Sequence, residues 1–333
     1  MRDFVLVLDF GSQYTQLIAR RVRELGVYSE IKPYFTPTDE IRRSAPKAII
    51  LSGGPASVFD EGAPTIGREL FELGIPVLGI CYGMQLMAHL LGGRVERSER
   101  REFGPAELRV KQQGGIFSGV GPVLRVWMSH GDRILELPPG FVSVAESQNS
   151  PVASMRHESL PLFGTQFHPE VVHTEGGRDI LANFVFAVAG CKGGWTPRSF
   201  AAQAVEDIRR RVGGGKVVCA LSGGVDSAVA ALIVERAVPG SLHPVFVDTG
   251  LMRKGEVQEV IGAFSSIGLR VRVVDAGDRF FGRLKGIVDP EEKRKAIGEE
   301  FIRIFEEEAG KAQGARFLVQ GTLYPDVIES VSV

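Results

Sequence analysis

The sequence predicts an α/β protein of two open, mostly parallel sheets flanked by helices, and three observations predict it. Short apolar runs recur in two series along the chain, the runs are continuous rather than alternating, and amphipathic stretches of helical period separate them. Continuous Val/Ile/Leu runs mark strands buried on both faces, as in parallel sheets covered by helices. Alternation of strand and helix places ligand sites at the carboxyl ends of strands. Most of these runs end there in glycine or a small polar residue.

The first series reads FVLVLDFGS at 4–12, AIILSGGP at 48–55 and PVLGICYG at 76–83. The second reads KVVCALSGG at 216–224, HPVFVDTG at 243–250, RVRVVDAG at 270–277 and RFLVQGT at 316–322. Helical periodicity covers 14–25, 227–238 and 293–309. Between the two series, residues 190–197 read GCKGGWTP. Gly-rich sequence followed by Thr-Pro marks a linker and then a helix start, with Thr196 as N-cap and Pro197 at the first helical position. The expected organisation is therefore one domain over 1–190, a linker over 191–197 and a second domain over 198–333. No internal repeat or low-complexity tract stands out.

A length of 333 residues suits two domains, each with a real core. With 44% hydrophobic and 24% charged residues the chain is an ordinary globular one, which excludes disordered and collagen-like classes. Its 39 Lys+Arg balance 40 Asp+Glu to a net charge of −1, which argues against a dedicated nucleic-acid surface. Three cysteines, Cys81, Cys191 and Cys219, are too few for a disulfide framework or a four-thiolate zinc site and point to a reducing compartment. The N-terminal MRDFVLVLDFGSQ carries an acidic residue at position 3 and does not read as a signal peptide. Residues 73–93 carry no formal charge, but Pro76, Gly79, Gly83, Gln85 and His89 make them a strand, turn and helix rather than a membrane span. The chain therefore reads as cytoplasmic, with neither nucleic acid nor membrane as partner. Glycine is the departure from average, at 41 residues, and calls for tight turns or close backbone approaches.

In PVLGICYGMQLMAHL, Cys81 sits where a buried strand meets a helix, with Gly79 and Gly83 on either side. G-x-C-x-G has the spacing of the hydrolase elbow G-x-S-x-G, which presents a nucleophile at a helix N-terminus. Such a position favours thiolate over thiol. A base is supplied by GTQFHPEVVHT, where only Pro169 separates His168 from Glu170, so that the carboxylate can orient the imidazole. These segments, with LSGGP at 51–55, GICYGMQ at 79–85 and QFHPE at 166–170, resemble the class I glutamine amidotransferases. The resemblance implies Cys81 as nucleophile on the side-chain amide of glutamine, His168 as general base and then acid, and Glu170 as its orienter. It also implies an oxyanion hole from the backbone N–H groups of Gly54 and Tyr82, and a glutamine pocket lined by Gln85, Ser129, His130, Gly131 and Asp132. Preorganised donors of this kind stabilise the charge that builds on an amide oxygen under attack. The ammonia released calls for a coupled synthetase.

Residues 222–227 read SGGVDS, directly after the strand VVCAL and before a helix. Glycines that bare backbone N–H groups, a helix N-terminus and two hydroxyls make a phosphate cradle. It is not a Walker A loop, which would need a lysine that is absent. Asp226 inside such a cradle repels phosphate unless a divalent cation lies between them, which argues for Mg²⁺ held by Asp226.

SGGVDS resembles the pyrophosphate loop of the ATP pyrophosphatase superfamily, whose fold is like that of the adenine-nucleotide α-hydrolases. The resemblance implies ATP contacts from Ser222, Gly223, Gly224, Val225, Asp226 and Ser227, with adenine edges near Val247 and Gly321. Together with DTGLMRKGE at 248–256, DPEEKRKAIG at 289–298 and QGTLYPDVIES at 320–330, the arrangement is similar to the glutamine-hydrolysing GMP synthetase family. That similarity implies ATP-dependent amination of XMP to GMP, with glutamine, ATP and XMP as substrates. Lys293, Arg294 and Lys295 would then supply positive charge in a phosphate lid, and Asp326 and Glu329 would serve the metal or the adenylylation site. The family continues beyond YPDVIES through the rest of the pyrophosphatase domain and a dimerisation domain that makes it a homodimer. The expectation is accordingly that the second domain is incomplete here, and that this chain alone keeps a glutaminase but makes little GMP. Another glutamine-dependent adenylylating ligase, similar to NAD synthetase, and a non-catalytic nucleotide-binding remnant are the alternatives.

Overall fold

Strand β1 (Phe4–Asp9) shows why the apolar runs are continuous. Val5 and Val7 enter one core, Leu6 and Leu8 the core on the other side of the sheet, and all four are fully buried. The computed structural model describes residues 3–312 and 314–321. The chain divides into two compact units between Thr196 and Pro197.

In the first unit β1 is followed by α1 (Thr15–Glu24), β2 (Tyr28–Pro33), α2 (Thr38–Ser44), β3 (Ala48–Leu51), β4 (Val77–Ile80) and α3 (Tyr82–Leu90). Next come β5 (Arg94–Val110), β6 (Val123–Glu136), β7 (Phe141–Ser147), β8 (Ser154–His157), β9 (Leu162–Thr165) and α4 (Gly177–Ala182). Their nine strands form one sheet in the order β2-β1-β3-β4-β9-β8-β7-β5-β6. Pairing is parallel from β2 to β9 and antiparallel from β9 to β6. Helix α1 covers one face of the parallel half with Ile18, Ala19 and Val22. Helices α2 and α3 cover the other with Ile41, Met84 and Met87. The antiparallel half is an addition to the parallel frame, and its longest strands, β5 and β6, alternate rather than run apolar. In β6, Leu124, Val126, Met128, His130, Asp132 and Ile134 are buried while their neighbours are not.

The second unit comprises α5 (Pro197–Val212), β10 (Lys216–Leu221), α6 (Val225–Ala237), β11 (Leu242–Asp248) and α7 (Glu256–Ser266). It continues through β12 (Arg272–Asp275), α8 (Gly277–Leu284), α9 (Pro290–Lys311) and β13 (Ala315–Val319). Its four strands among the described residues are parallel, in the order β12-β11-β10-β13. Val217, Cys219 and Leu221 pack on one side of this sheet and Val218 on the other, with Val245, Val247, Phe280 and Ile304. Arg279 of α8 ties itself to α9, reaching buried Glu300 at 2.7 Å and forking onto Glu307 at 2.8 Å. The hydrogen bonds to Glu307 and Glu300 hold the guanidinium above its usual range. The motif beyond residue 321, with Asp326 and Glu329, lies outside the described residues. Among the described residues no helix is long and apolar enough to cross a membrane.

Candidate active site

The carboxyl ends of β1, β3, β4 and β9 meet where the strand order reverses between β1 and β3, the place where open α/β sheets bind ligands. A cavity of about 720 Å³ opens there, lined among others by Gly54, Cys81, Gln85, Ser129, Asp132 and His168.

Cys81 takes the turn from β4 into α3 with φ +52° and ψ −108°, a conformation that L side chains rarely adopt. Its backbone N–H donates to the Thr165 carbonyl at 2.7 Å, and its thiol to the Ser129 carbonyl at 3.4 Å. The flanking glycines are needed for close approach. A Cβ on Gly79 would stand 2.6 Å from the Gly83 carbonyl oxygen, and one on Gly83 would stand 2.5 Å from that of Leu51. Such a turn stores on the order of 1–3 kcal/mol of backbone strain, and packing over-determines it. Cys191 and Cys219 are different: burial pushes their thiols up to about 11, which leaves little thiolate.

His168 follows β9, and its Nδ1 lies 2.7 Å from Glu170 Oε1. Both side chains are almost wholly buried. Burial works against the imidazolium, but the Glu170 charge and hydrogen bonds to Cys81 and Glu170 outweigh it and hold His168 well above its ordinary value. The turn is anchored from outside by Thr174, whose hydroxyl donates to the His168 carbonyl at 2.7 Å, and by Arg21, whose Nε donates to the Glu170 carbonyl at 2.9 Å. Tyr14 sets its ring edge-on to the imidazole at 5.0 Å.

Neither the Gly54 nor the Tyr82 backbone N–H donates to a protein acceptor among the described residues. Gly54 follows β3 in a place with no room for a side chain: a Cβ would stand 2.7 Å from the Phe10 carbonyl oxygen. Tyr82 is buried and its hydroxyl donates to the Pro64 carbonyl, so only its main chain is available beside Cys81. Gln85, Ser129, His130, Gly131 and Asp132 all border the cavity. The His130 ring, however, is buried against Glu102 rather than free in the pocket. Burial pushes the Glu102 carboxyl up, but hydrogen bonds from His130, Ser150 and Ser147 prevail and leave it below the usual carboxylate range.

The 222–227 loop lies at the second sheet's own reversal point, between β10 and β13. Gly223 has φ +82° and Gly224 precedes the first turn of α6. The Ser227 hydroxyl donates to the Gly224 carbonyl at 2.9 Å and stands 3.2 Å from that of Ser222. Ser227 is buried, whereas Ser222, Val225 and Asp226 are exposed. Gly321, beyond β13, lies beside the main chain of Asp226 and Ser227, where a Cβ would make ordinary contact with the Ser227 backbone nitrogen at 3.6 Å. The structure thus brings Gly321 to the loop. The Val247 side chain is buried in the sheet's core, which leaves only its main chain to meet a ligand. Lys293, Arg294 and Lys295 lie on the exposed first turns of α9, where Glu291 pairs with Arg294 at 3.0 Å and Lys295 at 4.0 Å.

Sequence reasoning passes over Glu102, Gln166, Arg21 and Tyr14. Gln166 sits inside QFHPE and is fully buried, with its Nε2 directed at Cys81 Sγ at 3.7 Å. A polar side chain on the same face of the chain as His168, just before it, was the available signal. Glu102 lies in the charged run ERREFG and gives none.

The profile of the family "Glutamine amidotransferase class-I" matches residues 6–188. A "GMP synthase [glutamine-hydrolyzing]" of Aquifex aeolicus is 53% identical over 329 residues, covering 99% of this chain and 64% of that protein. One of the same name from Geobacillus kaustophilus is 54% identical over 330 residues, 99% of this chain and 65% of its own. The chain therefore spans about two thirds of the length of these curated relatives. A solved crystal structure of a putative GMP synthase component from Thermoplasma acidophilum is 34% identical with a TM-score of 0.53, covering 57% of this chain and 94% of that one.

Proposed function

The chain belongs to the class I glutamine amidotransferases, and on that premise we propose that it is the glutaminase and ATP-binding part of a glutamine-hydrolysing GMP synthase. His168 takes the thiol proton of Cys81 as the sulfur attacks the side-chain amide of glutamine. The imidazolium passes that proton to the amide nitrogen as it leaves as ammonia, and Glu170 keeps the imidazole oriented and stabilises its charged form. The Gly54 and Tyr82 N–H groups receive the oxygen of the tetrahedral intermediate. Water, deprotonated by His168, then releases glutamate from the thioester. The observation that carries this half is the buried His168–Glu170 pair at 2.7 Å beside a thiol held on a strained turn.

In the second half, ATP activates the C2 oxygen of XMP by adenylylation, with pyrophosphate leaving and ammonia displacing AMP to give GMP. Identity above 50% along 99% of the chain to proteins of that name supports this reading. So does the 222–227 loop at a sheet reversal point, with its bared glycines. The fit to Mg²⁺ rests on Asp226. Among the described residues no group of three His, Cys, Asp or Glu side chains stands ready for a metal, and a single carboxylate suits an ion that takes its other ligands from phosphates and water. Asp226 would hold Mg²⁺ there, and the ion would neutralise phosphate charge. Lys293, Arg294 and Lys295 belong to the lid in this reading, and the cytoplasm is its place of action.

Two measurements test it. The chain should release glutamate from glutamine and be labelled at Cys81 by 6-diazo-5-oxo-norleucine, and Cys81→Ala should lose both; hydrolysis that survives in Cys81→Ala refutes the first half. Titration with Mg·ATP should show binding that Asp226→Asn weakens by at least about tenfold, or roughly 1.4 kcal/mol. Equal affinity in the two proteins refutes the metal's place.

A further inference from the structure

Among the described residues of the first unit, a second carboxylate is buried against a histidine, away from the reacting atoms. Glu102 of β5 and His130 of β6 are register partners, with side chains 7% and 2% exposed. His130 Nε2 lies 3.1 Å from Glu102 Oε2, and the hydroxyls of Ser147 and Ser150 donate to the same carboxylate at 3.0 Å. The other ring nitrogen, Nδ1, lies 3.0 Å from the carbonyl oxygen of Asp132. A carbonyl and an ionised carboxylate only accept, so each ring nitrogen of His130 faces an acceptor.

The Asp132 carbonyl accepts a second hydrogen bond, from Gln85 Nε2 at 2.9 Å. The same amide nitrogen donates to Gln166 Oε1 at 3.2 Å, and Gln166 Nε2 to Cys81 Sγ at 3.7 Å. A continuous buried polar chain therefore runs from Glu102 through His130, the Asp132 main chain, Gln85 and Gln166 to the thiol, on partners distinct from the His168–Glu170 pair. Its middle links, Gln85 and residues 129–132, form one wall of the cavity. A buried charge is costly unless paired and hydrogen-bonded, and a network of this kind rigidifies what it holds when every member is satisfied.

We propose that Glu102 is a positioning residue for the glutamine pocket, fixing the Asp132 carbonyl through His130 so that Gln85 and the 129–132 wall keep the shape that receives the substrate. This rests on the glutaminase reading above. Because Glu102 touches the pocket only through His130, its loss should be felt in substrate binding before it is felt at the thiol.

The test compares the chain with its Glu102→Ala and Glu102→Gln variants in glutamine kinetics, in alkylation of Cys81 by iodoacetamide, and in thermal unfolding. Glu102→Ala should raise KM for glutamine about tenfold, the scale of one lost charge-assisted hydrogen bond, with kcat and the alkylation rate nearly unchanged. Glu102→Gln, which keeps an acceptor oxygen for His130 but not the charge, should raise KM by a smaller factor. A KM in folded Glu102→Ala equal to that of the parent overturns the proposal, as does a fall in kcat and alkylation that matches the rise in KM. If Glu102→Ala does not fold, the glutamine variant decides, and an unchanged KM in it overturns the proposal. A parent chain that neither hydrolyses glutamine nor reacts with 6-diazo-5-oxo-norleucine overturns the underlying reading together with this one, whereas an active parent with unmoved variants overturns this one alone.

Discussion

Replacing Gly54 by alanine probes the proposed oxyanion hole through the main chain alone. The added Cβ would stand 2.7 Å from the Phe10 carbonyl oxygen and 3.4 Å from the Tyr82 ring. Ordinary contact begins near 3.4 Å, so the β3 loop and the end of β1 must part by about 0.7 Å, a gap set by main-chain atoms on one side and the new methyl on the other. An oxyanion donor works only within about 2.7–3.1 Å of the charge it receives, and that displacement moves the Gly54 N–H out of range. Loss of one such donor costs about 10²–10³ in kcat, or roughly 2.7–4 kcal/mol. Steady-state glutaminase assays should therefore show kcat down by at least two orders of magnitude, with KM changed far less. Alkylation of Cys81 by iodoacetamide, which needs no oxyanion hole, should continue. A Gly54→Ala enzyme that keeps kcat within a few-fold of the parent would refute the assignment of this N–H.

Glu170→Gln should move the alkaline limb of the glutaminase pH profile to lower pH. The Glu170 charge helps to raise His168, so the proton it holds, and the stability the pair contributes, are fully present below about pH 6.5 and lost as pH rises through the raised value; an unmoved limb contradicts the pairing. Gly79→Ala should lower the melting temperature of the first unit by several degrees, since a Cβ 2.6 Å from the Gly83 carbonyl oxygen overpacks the elbow by about 1–3 kcal/mol. Gly121→Ala in the same unit, where an added Cβ meets only the Val123 carbonyl oxygen at 3.6 Å and Leu124 Cδ2 at 3.8 Å, serves as the control and should not destabilise.

The strands legible in the sequence are those buried on both faces, because Val5 to Leu8 or Val217 to Cys219 must be apolar at every position whichever core they enter. The antiparallel half was hidden for the opposite reason. Its long strands β5 and β6 bury alternate residues, and β5 opens on RVERSERREFG, where charges mask the pattern. The Cys81 elbow and the His168–Glu170 pair were readable because each is local in the chain. Glu102 was not, since its meaning depends on His130, 28 positions away, and appears only once β5 and β6 are in register. Val247 illustrates the converse: a strand end can be located from sequence, while the face its side chain takes needs the sheet.

The backbone of Cys81 has a consequence for how this domain tolerates change. Folded domains are stable by only about 5–15 kcal/mol, so a few kcal/mol held in one turn is a sizeable share of the whole. Glycine adopts φ +52° freely, and Cys81→Gly would relax the turn while removing the sulfur. A library ranked on heat resistance alone would therefore enrich for inactive proteins at this position, and the thiol persists only where activity is selected alongside endurance.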